Sequence, residues 1–348
     1  MDTQLEPAYA DLLQSAPCAM FNHSIRFRNF LKLVIPEAKE TYFLAYKEGK
    51  LVGALPTFTR DGPIGPVVNS LPFYGSHGAA VLRHGENQEV RTALFDSLRD
   101  YCVNVEAAFS TVVESPLDGC RESYSALNAD FTDDRIGQIT ALPQYSEGDT
   151  ESNLMDIFHH KTRNMVRKGL KSGFIVGHED SGFAMTSLYE IHAENMRAIG
   201  GLAKPLSIFQ AIKSAFAYGE DYRVYIARDG NKIAAAMLVF YFKDTVEYFT
   251  PAVQEKYRSN QPLSLLIFSA MRDAVVERSA RLWNWGGTWR SQEGVYLFKS
   301  RWGTKDYPYR YHINQYRKHL DIAKTSKTEL FNGYPYFFTI PFRLLSVS

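Results

Sequence analysis

One order of elements occurs twice in this chain, and that duplication constrains the fold more than any other feature. The first copy opens on the strand Thr41-Tyr42-Phe43-Leu44-Ala45-Tyr46, turns through Lys47-Glu48-Gly49-Lys50 and returns along Leu51 to Phe58. The second runs through Arg223-Val224-Tyr225-Ile226-Ala227, turns at Arg228-Asp229-Gly230-Asn231-Lys232 and returns along Ile233 to Phe242. Glu-Gly or Asp-Gly between two such runs signals a hairpin, because glycine supplies the positive φ that a tight turn needs. Each hairpin leads through a further strand or turn into a helix and a short apolar strand. In the first half these are Asn87 to Val105 and Phe109 to Val113; in the second, Pro262 to Arg278 and Arg281 to Trp285. Pro262 suits a first helical position, where its missing N–H has no intrahelical partner to lose. The interval between copies is far longer than a solenoid period, so whole domains are duplicated. The expectation is an α/β chain with mixed sheets (α+β) in two tandem domains.

With 348 residues, 45% of them hydrophobic, the chain can build two cores. The junction falls in the polar, turn-rich stretch Pro143 to Thr150, with one helix expected from Thr150 to Lys171, stopped at Ser172-Gly173. Lys and Arg number 39 against 38 Asp and Glu, a net charge of +1. That balance argues against a broad nucleic-acid footprint, and no DNA partner is expected. Any bound anion must be held by a local cluster. Three scattered cysteines, Cys18, Cys102 and Cys120, offer neither a CxxC pair nor metal spacing, so the chain reads as reduced, cytoplasmic and metal-free. The polar, acidic start is no secretory signal. The longest apolar run, Ile233 to Phe242, is far short of the roughly 20 residues of a membrane span. The aromatic stretch Tyr334 to Phe338 is expected to pack on its own domain.

Local charge is richest on the helix holding Lys161, Arg163, Arg167, Lys168 and Lys171. Arg163, Arg167 and Lys171 lie four residues apart on one face, where they suit a diphosphate or simply form a solvated face. Asn69, Ser70, Tyr74, Ser76 and His77 occupy a glycine-bearing loop after the first hairpin. Their amide, hydroxyl and imidazole groups suit a sugar, and the alternative is a tight structural turn. No Gly-x-Gly-x-x-Gly or Walker loop is present.

Four stretches sharpen the repeat into a resemblance. They are Asn69-Ser70-Leu71-Pro72-Phe73-Tyr74-Gly75-Ser76-His77-Gly78; Lys161 to Lys168; His192-Ala193-Glu194-Asn195-Met196 with Gly200-Gly201 and Lys204-Pro205; and Asn284-Trp285-Gly286-Gly287-Thr288 followed by Phe298-Lys299 and Trp302-Gly303. Together they resemble the FemAB-related branch of the GNAT superfamily over nearly the whole chain, the last stretch most specifically. The resemblance implies two tandem GNAT-like domains, with 325–348 crossing back to join 1–149 and with 150–324 forming the second domain.

That family includes aminoacyltransferases that use aminoacyl-tRNA on peptidoglycan precursors. It also includes surface-polysaccharide enzymes that N-acylate nucleotide-linked amino sugars from acyl-CoA. The second group is favoured here, since excess positive charge and an inserted helical arm are both missing. A binding scaffold without catalysis is the alternative of a different class. By the GNAT pattern, the strand Thr245 to Phe249 polarises the acyl carbonyl through main-chain donors. Phe249 and the loop Tyr257-Arg258-Ser259-Asn260-Gln261 then hold the acyl-CoA at the start of the next helix. That loop departs from the pattern in having no glycine. Arg163, Arg167, Lys168, Asn195, Lys204, Asn69, Ser70, Tyr74 and Ser76 are the acceptor-binding candidates. Lys299 is the candidate for a developing oxyanion. For the general base, His77, His192, Glu247, Asp306 and His312 are all of suitable chemistry, with Glu247 and His77 carried forward.

Overall fold

The computed structural model describes residues 3–75, 77–119, 121–321, 324, 326–341 and 344–345. In chain order its first elements are α1 (Glu6–Ser15), α2 (Ile25–Val34), β1 (Lys39–Lys47), β2 (Lys50–Arg60), β3 (Val67–Asn69), β4 (Val81–Leu82), α3 (Gln88–Asn104) and β5 (Phe109–Val113). Then come β6 (Phe131–Ala141), α4 (Thr150–Ile157), α5 (His160–Lys171), β7 (Ile175–His178), α6 (Gly182–Ala198) and α7 (Leu206–Ala215). The rest are β8 (Tyr222–Asp229), β9 (Lys232–Phe242), β10 (Thr245–Val253), α8 (Pro262–Arg278), β11 (Leu282–Thr288), α9 (Glu293–Ser300), β12 (Thr304–Gln315) and α10 (Lys327–Gly333). Two compact units result: Met1–Arg135 with Pro308–Ser348, and Ile136–Tyr307. β6 and β12 are the strands along which the chain passes from one unit to the other.

In the first unit the strand order is β1-β2-β3-β5-β12, with β4 beside β2. β1 and β2 close over Glu48 and Gly49, whose φ of 51° and 76° make the two-residue turn that the Glu-Gly step predicts. Leu94, Phe95 and Leu98 of α3 pack with Leu55, Val68 and Val112 of the sheet in one core. The aromatic tail is fixed to this unit. The Tyr334 hydroxyl donates to the Gly65 carbonyl at 2.6 Å and accepts from the Ile64 N–H at 3.0 Å. The Thr111 hydroxyl donates to the Phe338 carbonyl at 2.9 Å.

In the second unit the order is β6-β11-β10-β9-β8-β7. β8, β9 and β10 are an antiparallel meander, and α8 crosses over to bring β11 parallel to β10. α8 buries Leu266, Ile267, Met271 and Ala274 against Met237, Val239, Val246 and Trp283 of the sheet. Each such side chain contributes about 1.5–3 kcal/mol through removal from water. α6 packs on β9 and β10 as well.

The helix expected from Thr150 to Lys171 is two helices, because the chain turns extended at Phe158 and His159 (ψ 146° and 148°). The break seats the Phe158 ring edge-on to Trp302, centroids 5.0 Å apart. It also lets His159 Nδ1 cap α5 by accepting the Lys161 N–H at 3.3 Å. His159 and His160 consequently pack ring to ring at 4.1 Å rather than facing opposite sides of one helix. Gly303 sits against the same break. Its φ is 75°, and a Cβ there would lie 2.6 Å from the Ile157 carbonyl oxygen, so only glycine lets Trp302 reach the core.

Candidate active site

In the second unit β10 carries two irregularities. Its register with β9 slips between Tyr248 and Thr250, leaving Phe249 as a bulge. Its parallel pairing with β11 runs from Thr245 with Leu282 to Glu247 with Asn284, after which β11 continues beside β6. The two central strands therefore fork immediately after Glu247.

At the fork Glu247 is buried, 7% exposed. Its Oε2 accepts from Asn284 Nδ2 at 2.8 Å, while Oε1 has no partner. Burial pushes the carboxyl up to about 8, and the Asn284 hydrogen bond opposes only part of that rise. Asn284 is held in turn, its Oδ1 accepting from the Gly286 N–H at 3.0 Å. The path continues to Lys299, whose Nζ donates to the carbonyls of Gly286 and Gly287 at 3.4 and 3.2 Å and to Thr288 Oγ1 at 2.8 Å. Lys299 lies on α9 and is buried. No carboxylate pairs with it among the described residues, and burial lowers its ammonium to about 8. A buried cation and a buried carboxyl are thus joined by the Asn284–Gly286 segment of β11, neither neutralised by an ion pair.

α6 and the segment after it bring further candidates to β10. The Asn195 amide closes a two-way pair with Val253, donating to its carbonyl at 2.9 Å and accepting its N–H at 3.1 Å. Both ends of that amide therefore serve to hold the last residue of β10. Lys204 places Nζ 5.0 Å over the Phe249 ring, and burial lowers it to about 8. Its backbone N–H donates to His192 Nε2 at 3.2 Å. Burial and the Lys204 charge hold His192 near 4, neutral at ordinary pH, with the proton on Nδ1.

Residues 255–260 form a 3-10 turn, followed by Gln261 in the left-handed region at φ 61°, and α8 begins with no side-chain cap. The turn is exposed at Arg258, Ser259 and Asn260. Arg258 pairs with Glu255 at 2.8 Å, and Ser259 Oγ donates to Asn260 Oδ1 at 2.9 Å. Tyr257 packs edge-on to Phe174 at 6.0 Å. The absence of glycine here is offset by a close approach elsewhere: a Cβ on Gly169 of α5 would lie 2.9 Å from the Gln261 carbonyl oxygen. α5 presents Arg167, Lys168 and Lys171 to solvent, and Arg163, half-buried, donates to the Phe158 carbonyl at 3.0 Å. None of the four has an ion pair among the described residues.

The remaining candidates, Asp306 apart, belong to the first unit. His77 is buried, its Nδ1 bonded to the Glu114 carbonyl at 3.0 Å, and burial lowers it to about 4. Ser70 Oγ accepts the Val113 N–H at 3.0 Å, and Asn69 Oδ1 is buried without a partner. Tyr74 is 47% exposed, its ring edge-on to Tyr336 at 5.2 Å. Ser76 lies outside the described residues. His312 bonds the Glu114 carboxylate at 2.7 Å. Asp306, in the second unit, is exposed and accepts from the Tyr296 hydroxyl at 2.8 Å. Sequence reading did not single out Asn284 or Thr288 as site residues, although both lie in the Asn-Trp-Gly-Gly-Thr stretch. Their roles come from the pairing of β11 beside β10 and from α9, which spacing does not disclose.

Residues 158–293 match the family model described as Acetyltransferase (GNAT) domain. No curated protein matches the chain in sequence. Among solved structures, FemX superposes with a TM-score of 0.71 at 14% identity, over 88% of this chain and 95% of that one. A tandem GNAT protein from the clavulanic acid biosynthesis pathway superposes at 0.54 with 12% identity, over 90% and 96%. L-PGS from Bacillus licheniformis superposes at 0.55 with 10% identity, over 92% and 93%. The forked and bulged strand pair, the helix that follows it and the match to the GNAT acetyltransferase domain model coincide in the second unit, and the chain shares its fold with FemX.

Proposed function

We propose that the protein transfers an acyl group from acyl-CoA to the amino group of a nucleotide-linked amino sugar, in the cytoplasmic stage of surface-polysaccharide synthesis. The observation that carries the transfer step is the buried Glu247 carboxyl at the fork of β10 and β11. In this reading the acyl carbonyl lies between the parted strands, where main-chain N–H groups at the Phe249 bulge polarise it. The uncapped start of α8, with Tyr257, Arg258, Ser259, Asn260 and Gln261, takes the donor's phosphates. Glu247 removes the proton from the amine, in the pH range that its raised pKa suits. Lys299, a buried cation without a counter-charge, stabilises the tetrahedral oxyanion. His77 serves as a hydrogen-bonding group of the first unit rather than as the base. Arg163, Arg167 and Lys168 of α5 are proposed to take the acceptor's diphosphate, Asn195 acts by holding the end of β10, and Asn69, Ser70 and Tyr74 of the first unit offer amide and hydroxyl groups of the kind a sugar binds.

The supporting experiment is a thermal-shift series on the full chain with CoA, acetyl-CoA and UDP- or dTDP-linked amino sugars, singly and in pairs, followed by an assay of thiol release. A ligand at 100 times its Kd stabilises the native state by about 2.7 kcal/mol. Stabilisation by CoA and by an amino-sugar nucleotide is the expected result. Stabilisation by a UDP-linked muramyl peptide with none from CoA would transfer the proposal to an aminoacyl-tRNA donor. No response to any of them would leave a binding scaffold.

A further inference from the structure

At the starting ends of β10 and β11, away from the fork, the second unit holds a cavity of about 640 Å³. A volume of this size suits a small molecule. Its apolar wall is continuous with the core, since Leu142, Val275 and Ala280 line it and are buried in the cluster beneath α8. Leu142 is fixed there by its N–H, which donates to the Arg281 carbonyl at 2.8 Å. Asp244 and Leu282 line the cavity too, three residues before Glu247 and two before Asn284. It therefore lies at the other end of the strands from the forked site, and none of the residues assigned above to acyl transfer lines it.

Two opposite charges share this cavity without pairing. Asp244 and Arg281 both line it, and their backbones are hydrogen-bonded neighbours, the Arg281 N–H donating to the Asp244 carbonyl at 2.8 Å. Yet neither the carboxylate nor the guanidinium has an ion pair or hydrogen bond among the described residues. The other charged groups at this end of α8 are engaged: Arg272 with Glu151 and Asp273, Arg223 with Glu277, and Arg278 with the Gly219 and Glu220 carbonyls. Arg281 is exposed and Asp244 half-buried, so the charges stand at the mouth and the core residues form the floor. A nucleotide or phosphate would meet one guanidinium and be repelled by Asp244. A fatty acid would set its chain against Asp244, and a polyamine would leave Arg281 unmatched. The complement of one carboxylate, one guanidinium and an apolar wall is a zwitterion with an apolar body. The ammonium and carboxylate of an α-amino acid hang from one carbon, which suits two groups on adjacent strands.

We infer that this cavity binds a free α-amino acid with an aliphatic or aromatic side chain. Arg281 takes the carboxylate through its paired N–H donors. Asp244 accepts from the ammonium, which also lies near the negative end of the α8 dipole at Ser279. The amino-acid side chain rests on Leu142, Val275 and Ala280. No bond is made or broken here, so the site is one of binding alone. It does not depend on the acyl-transfer reading, which concerns the opposite end of the strands.

The test is isothermal titration calorimetry of the full chain with L-leucine and L-phenylalanine. The controls are N-acetyl-L-leucine, which lacks the ammonium, and isoamylamine, which lacks the carboxylate. Both amino acids should bind, and each control should bind at least about tenfold more weakly, the scale of one hydrogen bond to a charged group. Asp244→Asn should weaken L-leucine about tenfold and erase its advantage over N-acetyl-L-leucine. Arg281→Gln should do the same for its advantage over isoamylamine. That exchange of preference separates recognition from a loss of folding, and the urea midpoints of both variants should match the wild type because neither side chain has a partner to lose. Glu247→Gln should leave the affinity for L-leucine unaltered. No binding of either amino acid, equal binding of the controls, or wild-type affinity for L-leucine in both charge variants would overturn the inference. So would loss of binding in Glu247→Gln, which would move the amino acid to the forked site. Stabilisation by CoA alongside any of those results would leave the acyl-transfer reading standing.

Discussion

Replacing Glu247 with glutamine removes a carboxyl that folding holds in its protonated form. The ordinary carboxyl value of 4.5 rises to about 8 in the folded chain. Between those values the unfolded state has lost the proton and the folded state keeps it. Folding therefore takes up a proton, and the stability of the second unit falls as pH rises from 4.5 to about 8. Each pH unit in that interval costs about 1.4 kcal/mol, which places the loss near 3 kcal/mol at pH 7 and near 5 kcal/mol once pH passes 8. Glutamine has no proton to keep, and its amide oxygen can still accept from Asn284. Glu247→Gln should match the wild type near pH 4.5 and exceed it by about 3 kcal/mol at pH 7. Tryptophan fluorescence isolates the effect, because the four tryptophans, Trp283, Trp285, Trp289 and Trp302, all lie in the second unit. Urea unfolding midpoints of both proteins from pH 4.5 to 8.5 give the comparison. Curves that stay parallel across that range would refute the premise that Glu247 is buried as the acid.

The first unit should respond to pH with the opposite sign. His23 and His77 are fully buried, and burial lowers each from 6.5 to about 4. Its stability should fall as pH drops from 6.5 towards 4, by about 3 kcal/mol per histidine, and amide hydrogen exchange in α3 and β5 would register the loss. Lys299→Met preserves the apolar stem and removes the buried ammonium. It should leave the urea midpoint unchanged or higher while lowering turnover about 100-fold, the scale of removing one oxyanion donor; wild-type kinetics would exclude the role given to Lys299. Gly303→Ala forces a Cβ into the Ile157 carbonyl at a φ of 75° and should cost about 2–4 kcal/mol in the fluorescence-monitored transition. Arg163→Ala with Arg167→Ala should weaken nucleotide-sugar binding in a titration. It should cost only about 1 kcal/mol of stability, from the lost bond to the Phe158 carbonyl.

The hairpins, α8 and β5 were legible in the amino-acid sequence because their causes are local. Asp-Gly and Glu-Gly fix the turns, Pro262 starts its helix, and Phe109 to Val113 is a short run rich in aromatic and β-branched residues. The split between α4 and α5 was not legible. Nothing in Phe158-His159 breaks a helix by itself, and the break exists because Phe158 has Trp302 to pack against, 144 positions away in sequence. The site divides in the same way. Glu247, Lys299 and the basic face of α5 could be named as candidates from residue type and family pattern. Asn284 and Thr288 could not, since one acquires its meaning from the parallel pairing of β11 with β10 and the other from α9, which sets Lys299 against it. A carboxyl's chemistry depends on whether water reaches it. Chain order supplies the carboxyl of Glu247, and only the packing of α6 and the neighbouring strands around it removes the water and raises its affinity for the proton.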